Sequence, residues 1–141
     1  MATVYQQILD NLKAASGPNE VLDRDIAQAL MPEVYLAHGL STGQFPWRYT
    51  ALVDDAVQLI EKALPGWWWK CGTCSVSDDA CIAPDYNSPI HGKRLHREFP
   101  LVLASPFDEG FDVDRRPSGN VAIALLESLF EALVYIEQRA N

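Results

Sequence analysis

The stretch that most constrains the fold runs from Tyr49 to Val76. A helix-period segment ends at Leu64, Pro65-Gly66 breaks it, and Trp67-Trp68-Trp69 follows at once. In a strand, successive side chains point to opposite faces. Trp67 and Trp69 are therefore expected on one face and Trp68 on the other. Three adjacent indoles can all be buried only if both faces of the sheet are covered, which predicts a sheet between helix layers.

The flanking segments supply those helices. Val4, Ile8 and Leu12 recur every four residues, with Tyr5 and Leu9 beside them and Thr3 placed to cap. Ser16-Gly17-Pro18 stops this first helix. Asn19 can cap a second, whose stripe is Leu22, Ile26 and Leu30 and which Pro32 ends. Residues 33–48 read as a loop whose aromatics, Tyr35, Phe45 and Trp47 with the adjacent Tyr49, plug onto the core or lie over a pocket. Thr50 is the candidate N-cap of a helix that buries Leu52, Ala56, Leu59, Ile60 and Ala63.

After the Trp strand, Ser77-Asp78-Asp79 has turn chemistry, Ala80 to Ala83 reads as a second strand, and His91 to Leu103 as a third. These connections are too short for parallel crossovers, so the sheet should be antiparallel. Phe107 to Arg116 reads as a charged loop. Val121 to Ile136 carries a wide apolar face and should be a core helix lying against the sheet. The expected fold is α/β of the α+β type: a single domain spanning 1–141, with a three-layer α/β/α sandwich around a small, mainly antiparallel sheet.

A length of 141 residues suits one domain. No apolar run reaches the roughly 20 residues of a membrane span. No basic residue precedes Lys13 and no hydrophobic leader is visible, which predicts a cytoplasmic protein. The net charge of −8 disfavours nucleic-acid binding, which depends on phosphate neutralisation.

Two clusters carry candidate chemistry. Cys71, Cys74 and Cys81 with His91 or His96 have the residue types of a Cys3His zinc site. Cys71 and Cys74 would face opposite sides of a regular strand, however, and small apolar packing explains buried thiols. Packed, reduced thiols are the expectation, with no cofactor and no metal. The same cysteines and histidines could serve a Cys/His enzyme, but no local signature supports one. The second cluster, His91, Lys93, Arg94, His96 and Arg97, is a basic island in an acidic chain. It reads either as the solvated face of an edge strand or as a site for a small anion. In the second case Lys93, Arg94 and Arg97 would grip a phosphate, and Trp47 or Tyr86 would stack on a base.

Three blocks in order resemble small phage and prophage proteins with the phage ABA sandwich domain. The first is Ala14-Ala15-Ser16-Gly17-Pro18 with Glu20-Val21-Leu22-Asp23 and Ile26-Ala27. The second is Tyr49-Thr50 with Asp54-Asp55-Ala56, Leu59-Ile60 and Leu64-Pro65-Gly66-Trp67. The third is Pro117 with Val121-Ala122-Ile123-Ala124-Leu125-Leu126. The resemblance covers the helices and first strand, not residues 31–48 or 71–116, and 84–116 looks expanded relative to it. It implies an α/β/α sandwich and no established activity, so no catalytic residue is carried over. The expected function is a phage or prophage accessory protein acting by binding, sequestering a host nucleotide or inhibiting a host protein. A virion structural or assembly role, shown by a homo-oligomer, is the alternative.

Overall fold

A computed structural model describes residues 3–38, 45–99, 111–116 and 119–140. The class is α+β, with helices packed on a small antiparallel sheet. Helices α1 (Val4–Ala14) and α2 (Glu20–Leu30) form where the apolar spacing places them. Thr3 accepts from the Gln6 amide at 3.2 Å and Asn19 from the Leu22 amide at 3.1 Å, so each helix starts on a side-chain cap. Ile8, Leu9, Leu12, Leu22, Ile26 and Ala27 are all buried.

The loop expected over 33–48 begins instead as a short helix, α3 (Pro32–His38). Pro32 ends one helix and starts the next, because its fixed φ and missing amide suit a first helical position. The plug expectation holds at Phe45 and Tyr49, both about 1% exposed. Residues 39–44 lie outside the described residues. Thr50 does not cap α4 (Val53–Ala63); the N-cap is Leu52, with no side-chain bond. The Thr50 hydroxyl is spent elsewhere. It accepts from the Asn19 amide at 2.8 Å and lies 2.9 Å from Asp23 Oδ1 as donor. Asp23 also accepts the Thr50 amide at 2.8 Å. This buried knot ties the chain entering α4 to the start of α2.

Gly66, at φ 89°, turns the chain from α4 into β1 (Trp67–Thr73). A Cβ there would come within 2.6 Å of His91, so the turn needs glycine for both conformation and space. β1 pairs with β2 (Asp78–Pro84), which starts earlier than the turn residues suggested, and β2 pairs with β3 (Phe111–Arg115). Both pairings are antiparallel, in the order β1-β2-β3.

Two expectations in the 91–116 region are overturned. The strand expected over His91 to Leu103 is replaced, where the chain is described, by a helix, α5 (Gly92–Glu98); residues 100–103 lie outside the described residues. Its buried Leu95 and its Arg94–Glu98 pair at 2.9 Å have the three-to-four-residue spacing of a helix. The third strand comes from the supposed charged loop. Phe111, Val113 and Arg115 face one way and Asp112 and Asp114 the other, which is strand alternation.

The last helix, α6 (Val121–Ala140), is the hub. Residues 122–130 are all buried. It packs against all three strands on one side, chiefly β2 and β3, and against α1 and α4 on the other. Asn120 caps it, accepting the Ile123 amide at 3.0 Å. Asp78 receives the Gly119 and Asn120 amides at 2.8 and 2.6 Å, putting a carboxylate at the positive end of the helix dipole. Arg115 closes the opposite seam. It donates to the Leu12 and Ala15 carbonyls at the end of α1, at 2.9 and 2.6 Å, and pairs with Glu127 of α6. No helix among the described residues is long and apolar enough to cross a membrane.

The Trp run does not behave as expected. Trp67 is buried, edge-on to Phe99 and stacked near Phe111. Trp68 is only half-buried, and Trp69 is 39% exposed. The reason is that α6 covers β2 and β3 more fully than β1, while the opposite sheet face carries exposed polar residues.

Candidate functional site

That opposite face is a shallow hollow of about 540 Å³. The pleat and register decide what lines it. With Trp68 opposite Ala83, Lys70 opposite Cys81 and Gly72 opposite Asp79, these side chains all point away from α6. β3 adds Asp112 beside Cys81 and Asp114 beside Asp79. Lys70, Gly72, Asp79, Asp112 and Asp114 are exposed, and buried Cys81 lies in the floor. The Lys70 ammonium sits over the Trp68 ring, 5.9 Å from its centre. The hollow thus holds three carboxylates and one ammonium. Nothing there resembles a nucleophile with its base, since Cys81 lies under the surface and no histidine is on the sheet.

The expected anion site divides. Lys93, Arg94 and Arg97 share helix α5, and Tyr86 lies against it. Arg94 is committed to structure, donating to Glu98 at 2.9 Å and to the Pro65 carbonyl at 2.6 Å, with His91 Nδ1 at 3.2 Å. Tyr86 stacks on His96 at 4.4 Å and donates its hydroxyl to the Phe99 carbonyl, so it clamps the C-terminal end of α5. Lys93 and Arg97 are exposed, one turn apart. Trp47 stacks on Tyr49 at 6.4 Å, in the segment ahead of α4.

The candidate zinc ligands are also dispersed by the pleat. Cys71 points toward the α6 side of the sheet and Cys81 toward the hollow. Cys74 sits in the hairpin after β1, exposed, 3.5 Å from the Ser77 hydroxyl. Hydrogen bonds from Val76 and Ser77 lower its thiol below the ordinary range, whereas burial raises that of Cys71. Among the described residues, no group of three or more His, Cys, Asp or Glu is arranged to hold a metal ion.

Sequence reasoning missed Asp79, Asp112, Asp114 and Lys70 as a set. The available signal was the Phe111–Arg115 alternation, which puts Asp112 and Asp114 on one strand face. No family model, curated protein or solved structure matches this chain.

Proposed function

We propose that this protein acts by binding, and that it uses the hollow on the open sheet face to hold a basic segment of another protein. The observation carrying this reading is the hollow itself: about 540 Å³, shallow, and lined by three carboxylates against one ammonium. Small-molecule pockets of that size are mostly apolar and enclose their ligand. A shallow, open face that carries exposed carboxylates suits a chain segment whose lysines or arginines meet them. The net charge of −8 would speed such an encounter and would repel a free nucleotide. The reading is that of a phage or prophage accessory protein inhibiting a basic host protein in the cytoplasm. The three sequence blocks named above support the phage part.

The test is calorimetric titration with a lysine- and arginine-rich octapeptide at two salt concentrations. Asp112→Asn with Asp114→Asn should weaken binding at least tenfold. Asp54→Asn with Glu61→Gln, exposed on α4, is the control for general acidity and should change it little. Equal loss from both pairs would refute the site. A second arm titrates cyclic and linear nucleotides. Binding there, abolished by Lys93→Ala with Arg97→Ala, would favour the nucleotide-sequestering reading, which the exposure of those two residues on α5 supports.

A further inference from the structure

The two edges of the sheet are guarded very differently. β3 carries Asp112, Asp114 and Arg115, and charge on an edge strand blocks pairing with another chain. β1 has one charge, Lys70, no proline, and two aromatic neighbours with exposed surface. Among the described residues no strand lies beyond it.

The hydrogen-bond phase of β1 follows from its two ends. The Cys74 amide donates to the Ser77 carbonyl at 2.9 Å, and the Asp85 amide to the Gly66 carbonyl at 3.1 Å. Residues directly bonded to the partner strand alternate in an antiparallel pair. Gly66, Trp68, Lys70, Gly72 and Cys74 therefore turn their backbone groups toward β2. Trp69, Cys71 and Thr73 turn theirs outward. The outward Trp67 amide is taken, donating to the Leu64 carbonyl at 3.1 Å.

We propose that a second copy of this chain pairs antiparallel with β1, with Cys71 opposite Cys71 of the partner subunit. In that register Trp69 faces the partner's Thr73 on each side of the twofold axis. Every outward amide and carbonyl from Trp69, Cys71 and Thr73 then finds a partner. Shifting the axis to Trp69 would leave Thr73 reaching past the end of the strand to Pro65. Shifting it to Lys70 would set two ammonium groups face to face, which is unfavourable. In the proposed register Lys70 meets the partner's Gly72, an open position where a Cβ would touch nothing within 4 Å. The exposed indole of Trp69 is covered, and among the described residues α6 lies mainly against β2 and β3, leaving the α6 side of β1 less covered. The product is a six-stranded sheet with both acidic hollows on one face, and it does not depend on what those hollows bind.

The experiment is sedimentation velocity from about 10 μM to 1 mM, with register tested by charge. Gly72→Lys sets two pairs of like charges across the interface but faces Asp79 within its own chain, so the monomer keeps its fold. It should raise the dimer dissociation constant on the order of tenfold, and adding Lys70→Glu should restore it. Mild diamide oxidation of the Cys74→Ser variant should give a disulfide dimer through Cys71, since directly bonded antiparallel pairs have a Cα spacing of about 5.5 Å. A chain monomeric at 1 mM overturns the proposal. So does a dimer insensitive to Gly72→Lys, or one that Cys71 does not cross-link.

Discussion

Replacing Arg115 with methionine should be among the most damaging single changes in this protein. The guanidinium is 18% exposed, and Glu127, its partner, is 7% exposed. Two further donors go to the Leu12 and Ala15 carbonyls, which close the end of α1. Methionine fills much the same volume but offers no donor. Glu127 would then be a buried carboxylate without a counter-charge, a situation that costs about 3–5 kcal/mol. The buried Leu12 carbonyl keeps its bond from the Ala15 amide at 3.2 Å, and Ala15 itself is only part-buried, so the two carbonyls add roughly 1 kcal/mol together. For a domain of this size the total lowers the melting temperature by roughly 10–20 °C. Urea denaturation of Arg115→Met, Glu127→Leu and the double variant completes the cycle. The double variant should recover most of the loss, because the expense lies in the orphaned charge rather than in missing attraction. If Arg115→Met costs under about 1 kcal/mol, the pair behaves as an exposed salt bridge and the seam between β3, α1 and α6 is held by apolar contact alone.

Asp23→Asn should leave stability at pH 7 unchanged or raised, while Asp23→Ala should cost about 1–3 kcal/mol by orphaning the Thr50 amide. Burial, only partly offset by the Thr50 hydrogen bonds, raises the Asp23 carboxyl above 3.8, so stability falls as pH rises from 3.8 through its folded pKa. Denaturant titrations at pH 4 and 7 check both statements. Asp78 has the opposite sign. Burial pushes it up, but bonds from Thr73, Asn120 and Gly119 and the charge of Arg115 more than offset this, so its contribution is present above pH 3.8 and lost as pH falls through the lower folded value. Asp78→Asn should therefore destabilise at pH 7 and much less near pH 2, by thermal melts at both. Cys74 should alkylate with iodoacetamide well before Cys71 and Cys81, as read by peptide mass spectrometry. Trp68→Ala should cost about 1–2 kcal/mol by urea denaturation, below the 3–5 typical of a fully buried aromatic, because its face is open.

The helices α1, α2, α4 and α6 were legible because their apolar residues repeat at helical spacing and because Thr3, Asn19 and Pro65-Gly66 punctuate them. The errors share one cause: a local signal with two structural meanings. Thr50 has the chemistry of an N-cap, but its hydroxyl found Asn19 and Asp23, about thirty positions upstream. His91 to Phe99 contains one deeply buried apolar residue, Leu95, so period alone could not separate strand from helix; the Arg94–Glu98 spacing was the better guide. Pro32 marked a boundary correctly without saying that a new helix starts there.

The hollow was illegible for a related reason. Its residues come from three strands, and Asp79, Asp112 and Asp114 meet only once β3 is placed beside β2. Assigning 111–115 to a loop removed the strand whose polar face forms a third of the site, so the carboxylates read as solvated charge. The same assignment made α5's cations stand out as the one organised charged patch. With β3 restored, the balance shifts: Arg94 holds Pro65 and Glu98, whereas among the described residues Asp79 and Asp112 have no such structural partner across the hollow and Asp114 reaches Arg116 at 3.3 Å on the exposed edge. Carboxylates kept in solvent on one sheet face, above Cys81, add little to folding, since exposed charges seldom do. Under the proposed function, these exposed carboxylates are instead the groups that would meet a cationic chain.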